Sequence, residues 1–187
     1  YKEDMKENRE LEKERFLNQI ITQNLSLAQI LETGESLGMD LSAPLYNVLL
    51  LKITENGGKQ ETYAEIESAL DTLSGVFSFR RGVDEWLFLL TADDAEKMER
   101  RIESCRKTVR QITEKTDPPV EYFGALGNPV ERLREIKNSL KEAEKKFAFQ
   151  YLKKWNQILE IPVRDVGLSE NPQTEKKENE ELLISSV

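Results

Sequence analysis

Two adjacent acids are the residues of this chain best suited to chemistry. Asp84 and Glu85 lie where two runs rich in β-forming residues meet, 76–81 and 85–91. Carboxylate oxygens are the ligands that Mg²⁺ takes in proteins, so such a pair could help to hold a divalent ion. A pair of acids in a turn is more often a solvated hairpin tip, and that is the role we expect here.

The overall composition excludes several classes of site. The 187 residues include no histidine and one cysteine, Cys105. The lack of histidine removes the commonest general base, the usual zinc ligand and every histidine-dependent triad. A single cysteine excludes an internal disulfide and fits a reducing, cytoplasmic compartment.

The charge and hydropathy of the chain indicate whether it binds nucleic acid or a membrane. It has 27 basic and 35 acidic side chains, a net charge of −8, whereas proteins that bind a phosphate backbone usually carry a basic face. We therefore expect no direct binding of nucleic acid. No apolar run approaches the roughly 20 residues that cross a bilayer, so no membrane association is expected.

The apolar patterns predict the order of the elements that position the acidic pair. The nearly continuous apolar run 45–53 (LYNVLLLKI) predicts a strand covered on both faces. A helix over 60–73 follows, and the runs 76–81 and 85–91 predict a hairpin. Thr91 and Asp94 fit a capping box. The next helix carries apolar residues at alternating steps of three and four, namely Ala95, Met98, Ile102, Cys105, Val109 and Ile112.

The second half of the chain completes the pattern. The segment 120–126 (VEYFGAL) predicts a strand, and Asn128 with Pro129 predicts the start of a helix. The segment 158–163 (ILEIPV) could add an edge strand. The prediction is an α+β fold with a ferredoxin-like βαββαβ core of the GGDEF or nucleotidyl-cyclase type, with N-terminal helices and a C-terminal helix plus that edge strand.

The hairpin sequence itself carries a resemblance. Residues 80–90 read RRGVDEWLFLL, which resembles the GGDEF signature of diguanylate cyclases. The positions of the signature are taken by Gly82, Val83, Asp84, Glu85 and Trp86. The central hairpin of a βαββαβ pattern is the place that this family requires for it.

The resemblance also implies that a catalytic metal site is degenerate. The family holds its metal with acids from the end of the first strand and from the hairpin, and this chain has Lys52 and Thr54 at the strand positions. A lysine there supplies a positive charge instead of a ligand. Val83 replaces a glycine, and a β-branched residue resists positive φ and fills space that the nucleotide needs. We expect no catalysis, no bound metal and no cofactor.

A second resemblance covers more of the chain. The segments 14–53 and 133–161 look like the middle domain of two-component response regulators that end in an AraC-type output domain. The resemblance implies a receiver before Tyr1 and a helix-turn-helix pair after Val187. It divides the chain into a signalling helix (1–25), a degenerate GGDEF-like domain (26–165) and a linker (166–187).

These observations predict a non-catalytic domain that relays a signal and forms a homodimer in a transcriptional regulator. Phe16, Ile20 and Ile21 are the residues expected at the dimer interface, through a coiled coil of the first helix. An equally weighted alternative is that this helix lies on its own domain.

Two other functions stay open. One is a nucleotide- or small-molecule-binding sensor derived from a diguanylate cyclase, with a cleft near Lys52, Asp84 and Glu85. The other is an unrelated scaffold that shares only the βαββαβ layout.

Three further features favour structural roles. Cys105 lies on the apolar stripe of its helix, which favours a buried small hydrophobe over a reactive thiol. Trp86 and Trp155 are expected to anchor a core or an interface. A basic cluster on the same helix as Cys105 is expected to form a solvated face; it comprises Lys97, Arg100, Arg101, Arg106, Lys107 and Arg110.

Overall fold

The structure is a computed structural model that describes residues 2–22, 25–53, 60–82, 84–116, 119–151 and 155–160. Its strands are β1 (Leu45–Ile53), β2 (Val76–Arg80), β3 (Glu85–Ala92), β4 (Tyr122–Leu126) and β5 (Gln157–Leu159). Its α-helices are α1 (Lys2–Thr22), α2 (Leu27–Ser36), α3 (Gln60–Asp71), α4 (Ala95–Lys115) and α5 (Ile136–Phe147). Short 3-10 helices lie before and after α5, at Leu133–Glu135 and Ala148–Tyr151.

The strands form one five-stranded sheet in the order β2-β3-β1-β4-β5. β1 is antiparallel to both β3 and β4, and β2 pairs with β3 as an antiparallel hairpin. β1 and β2 therefore run in the same direction, separated by β3 and joined through α3. This arrangement confirms the predicted α+β fold with a ferredoxin-like core, and β5 extends the sheet in parallel to β4.

The side chains of β1 alternate between two cores, which explains its apolar sequence. Tyr46, Val48 and Leu50 pack with α1, α2 and α5 on one face of the sheet. Leu49 and Leu51 pack with α3 and α4 on the other. Because helices cover both faces, nearly every position of the strand is buried.

The packing of α1 corrects the predicted dimer interface. Phe16 and Ile20 are each 1% exposed and belong to the core beneath α1 and α2, and Ile21 packs partly buried against that core. The alternative, a helix lying on its own domain, is the arrangement observed. The reason is local: Phe16, Leu17 and Ile20 share one face of the helix, and the sheet provides a larger apolar surface than a second helix would. A dimer stays a prediction, and Phe16 and Ile20 do not contribute to it while α1 is packed.

Two predicted helix starts also differ from the structure. Asn128 and Pro129 do not begin a helix, because Val130 forms an antiparallel bridge with Tyr46 through two 2.8 Å backbone hydrogen bonds. The helical segment starts only at Leu133. At α4, Asp94 alone caps the helix by accepting a hydrogen bond from the Lys97 amide.

The two ends of α2 and the edge strand follow signals that are present in the sequence. Ser26 and Gln29 exchange the hydrogen bonds of a capping box, and Gly38 ends the helix with a φ of +80°. Of the expected edge strand 158–163, residues 158 and 159 lie in β5 and 161–163 lie outside the described residues.

Candidate functional site

The register between β1 and β3 brings Lys52 and Glu85 together at one end of the sheet. The two residues are paired across β1 and β3, and the Lys52 ammonium lies 3.8 Å from a Glu85 carboxylate oxygen. Their side chains are 24% and 30% exposed, so this ion pair is only partly screened by water. The lysine therefore occupies the space beside the carboxylate that a metal ion would need.

The turn of the hairpin is held by its backbone. The Arg81 amide donates to the Glu85 carbonyl at 3.0 Å, and the Ile53 amide donates to the Asp84 carbonyl at 3.1 Å. A Cβ added to Gly82 would meet nothing within 4 Å, so space does not require glycine at this position. Asp84 and Glu85 are half-buried, whereas Val83 lies outside the described residues, as does Thr54.

The Trp86 side chain points into the core and not into the site. It is 2% exposed, and its indole N–H donates to Glu67 of α3 at 3.2 Å. The same carboxylate accepts two hydrogen bonds from Arg80, at 3.0 and 3.2 Å. Tyr63 packs edge-on against the indole, with 5.8 Å between ring centroids. The expectation that Trp86 is a core anchor is confirmed.

Sequence reasoning missed Glu67. The available signal was its position four residues after Tyr63 and three before Leu70, which puts an acid on the apolar face of α3. A carboxylate on such a face needs cationic or N–H donors. The hairpin residues Arg80 and Trp86 provide them.

The charged side chains at this end of the sheet do not converge as metal ligands would. Among the residues that the structure describes, no group of three or more Asp, Glu, His or Cys side chains could hold an ion. Asp84 and Glu85 are the acids of the hairpin, and the latter faces Lys52. The arrangement can hold the hairpin against β1 by charge.

Residues 22–145, more than half of the chain, match the family described as GGDEF-like domain. The chain belongs to the GGDEF-like domain family. The resemblance seen in the hairpin sequence is thus confirmed at the level of the family.

Comparison with individual proteins adds little beyond this assignment. No curated protein matches the GGDEF-like domain described here. Among solved structures, it is similar to the diguanylate cyclase SiaD in complex with its activator SiaC from Pseudomonas aeruginosa, at 13% identity and a TM-score of 0.46. The match covers 71% of this chain and 54% of that one, so the chain spans about half the length of that structure.

A concave surface of the GGDEF-like domain lies at the other end of β1. It is a cavity of about 710 Å³ between α2 and the start of the 3-10 helix at Leu133. Its lining includes the aliphatic side chains Leu27, Ile30 and Leu31 of α2 together with Arg132 and Arg134. Lys52 is six residues along β1 from Tyr46, which also lines the cavity, so roughly 20 Å separate the two surfaces.

Two buried titratable groups outside the hairpin have structural roles. Cys105 is fully buried on the inner face of α4, and burial raises the pKa of its thiol to about 12. Lys146 of α5 is 4% exposed and donates to the Leu126 carbonyl; burial lowers the pKa of this amine. Neither side chain faces the hairpin site.

The basic residues of α4 divide between two uses. Arg106 donates to the Ile158 carbonyl and to Glu160, each at 3.0 Å, and so holds β5 in place. Arg100 is exposed and pairs within the helix with Glu96. Arg101 is half-buried and donates to the Thr91 carbonyl of β3. The solvated face predicted for this cluster therefore excludes Arg101 and Arg106. No helix of the described residues is long and apolar enough to span a membrane.

Proposed function

We propose that this GGDEF-like domain is a non-catalytic relay and dimerisation domain of a two-component transcriptional response regulator. Its position would be between a receiver and an AraC-type helix-turn-helix domain. The observation that supports loss of catalysis is the ion pair of Lys52 with Glu85, whose charged atoms lie 3.8 Å apart. The resemblance to diguanylate cyclases implies metal-binding acids at the Lys52 and Thr54 positions.

The positive charge of Lys52 opposes the attraction that the neighbouring Glu85 carboxylate could exert on a metal ion. Two like unit charges about 4 Å apart repel by roughly 4 kcal/mol at an effective dielectric constant of 20. The repulsion doubles for a divalent ion. A magnesium ion beside Glu85 would therefore have to displace the ammonium group, and would gain a single carboxylate by doing so.

The packing of α1 supports a relay. This helix contacts β2, α2 and α5, and Lys13 lies over the ring of Phe79 in β2, 5.9 Å from its centroid. At the end of β2, Arg81 reaches Glu144 of α5 at 3.2 Å. A shift of α1 imposed by a preceding receiver would therefore be transmitted to both the hairpin and α5.

Loss of catalysis is tested by titration calorimetry with GTP and Mg²⁺, combined with an assay for the cyclic dinucleotide product. We expect no saturable heat and no product from the natural chain. Lys52→Asp adds a carboxylate opposite Glu85 and should give weak Mg²⁺ binding, whereas the control Lys52→Met removes the charge without adding a ligand. Turnover by the natural chain would refute loss of catalysis. Stoichiometric GTP binding without turnover would favour the nucleotide-binding sensor over the relay domain.

The regulator context has its own test. The complete reading frame that contains these residues should encode a receiver before them and a helix-turn-helix pair after them. A frame with neither would refute the relay role while leaving the result with GTP unaffected.

Dimerisation is tested by sedimentation of the chain over a range of concentrations. Since Phe16 and Ile20 are buried, the contact must use exposed residues, and Leu11 of α1 is 56% exposed. We expect the natural chain to sediment with the mass of a dimer. Leu11→Glu should lower the measured mass, and Arg100→Glu should leave it unchanged. A monomer at every concentration would contradict this part of the proposal.

A further inference from the structure

The cavity beside α2 is a feature of the domain that the proposed function does not use. Leu27 stands at its edge with 61% of its surface exposed, although Ile30 one turn further along α2 is 4% exposed. An exposed leucine at the mouth of an apolar cavity is typical of a surface that binds another segment.

The charges at the rim indicate what kind of segment would fit. Glu131, Arg132 and Arg134 line one side, with a combined charge of +1. Arg132 is exposed, and among the described residues it has no ion-pair partner. A segment with aliphatic side chains next to acids would satisfy both the apolar wall and this rim.

The chain itself contains such a segment after β5. Residues 178–184 read ENEELLI, in which Glu178, Glu180 and Glu181 precede three consecutive aliphatic residues and no basic residue occurs. The stretch thus carries a charge of −3 opposite a rim of +1. We name residues 178–184 the acidic–aliphatic segment.

β5 points towards the end of the sheet at which the cavity lies. β5 is parallel to β4, so the chain leaves both strands at the same end of the sheet. The residues after β4 include Val130, which pairs with Tyr46, and then Arg132 and Arg134 of the cavity wall. In the random-coil limit a linker of 17 residues, the number between Glu160 and Glu178, spans roughly 20–25 Å. This is more than the two strand spacings, roughly 10 Å, that separate β5 from β1 in the sheet.

We propose that the acidic–aliphatic segment docks in the cavity, with Leu182, Leu183 and Ile184 against α2 and the glutamates beside Arg132. The segment and the cavity belong to one chain and are joined by a short linker. The effective concentration of the segment at the cavity is therefore in the millimolar range, and a weak contact is enough to keep it docked. The contact is independent of whether the domain is catalytic. It would let the domain hold the chain that follows it.

The test uses the whole chain with a nitroxide spin label at Ser185→Cys and observes the amide signals of the domain. Labelling is selective, since Cys105 is fully buried and the pKa of its thiol is about 12. We expect the label to broaden the signals of Leu27–Leu31 and Arg132–Arg134 at least fivefold more than those of the outer face of α4. A label at Thr174→Cys, eleven residues earlier in the same tail, is the matched control and should broaden them less.

Two sets of variants complete the test. Leu183→Ser with Ile184→Ser should abolish the selective broadening, and Arg132→Glu should weaken it, whereas Arg100→Glu on α4 should leave it unchanged. Even broadening over the whole surface, or selective broadening that survives the double serine variant, would overturn the proposal. So would broadening seen only when labelled and isotope-enriched copies are mixed, because that result assigns the contact to a second copy.

Discussion

At the scale of single residues, Glu67 shows how one buried acid can join separate elements. Its side chain is 12% exposed and accepts hydrogen bonds from Arg80 and Trp86, so α3 is tied to both strands of the hairpin. Bonds to a charged partner are stronger than neutral ones, and a donor left without its acceptor in a buried place adds a desolvation penalty. This carboxylate fixes the Trp86 indole.

We therefore predict that Glu67→Ala lowers the free energy of unfolding by about 2 kcal/mol. Glu67→Gln, which keeps one acceptor oxygen, should cost about half as much. Urea denaturation followed by circular dichroism measures both. The control is Glu65→Ala on the exposed side of α3, expected within about 0.5 kcal/mol of the natural chain. Equal losses at the two positions would contradict the role assigned to Glu67.

The buried thiol of Cys105 predicts how the free energy of unfolding depends on pH. Burial raises the pKa of its thiol from 9.0 to about 12. Between these values the unfolded chain releases the thiol proton and the folded chain keeps it, so stability is lost as pH rises above 9, by up to about 1.4 kcal/mol per pH unit. Below pH 9 both states are protonated and the thiol has no effect.

The measurement is the unfolding free energy of the natural chain and of Cys105→Ala at several values from pH 8 to pH 11. Tyr46 and Tyr122 also have raised pKa values, but they titrate in both proteins, so their effect cancels in the difference. The gap between the two proteins should narrow as pH rises. A constant gap, or rapid reaction of the folded thiol with a disulfide reagent at pH 8, would show that Cys105 is accessible.

At the scale of elements, β2 is an edge strand in which two backbone amides that do not pair with β3 have other partners. The Ser78 amide and hydroxyl both donate to the Asp71 carboxylate, at 3.1 and 2.9 Å, and the Val76 amide donates to the Leu73 carbonyl. Covering these groups stops the edge from pairing with another chain. Asp71, the last residue of α3, thus protects the sheet.

Asp71→Ala should consequently lower the free energy of unfolding by about 1–2 kcal/mol and promote association at high concentration. Unfolding in urea gives the first quantity and light scattering after size-exclusion chromatography gives the second. Asp93→Ala is the control, because Asp93 is exposed and pairs only with Lys97. If Asp71→Ala remained as stable and as dispersed as the control, the protective role would be wrong.

The elements also show what sequence can and cannot predict. β1 and the stripe of α4 followed from local patterns, because residues buried on a fixed face repeat with the period of their element. The sequence of Asn128 and Pro129 suits a helix start equally well, and only pairing of Val130 with the distant Tyr46 decides against it. The Lys52–Glu85 contact depends on strand register, and the Glu67 contact on how α3 is rotated above the hairpin. Neither is encoded by a local pattern.

At the scale of the whole molecule, α1 completes one of the two cores that enclose the sheet. Without it, the face formed by Val48, Leu50 and Phe79 would lose part of its cover. Phe16 is among the largest fully buried side chains. Substitution of Phe16 should therefore have different effects on stability if this residue lies in the core and if it lies in a dimer interface.

Phe16→Ala should lower the free energy of unfolding by about 3–5 kcal/mol, the usual cost of removing a buried aromatic ring. Because the ring packs within one copy, its effect on the unfolding midpoint should be the same at 2 μM and at 200 μM protein. Leu11→Ala, on the exposed face of the same helix, should leave the stability of the monomer within about 0.5 kcal/mol. If the cost of Phe16→Ala instead appeared only at concentrations where the natural chain dimerises, Phe16 would belong to an interface between copies. In that case the packing of α1 on its own sheet would not be the arrangement in solution.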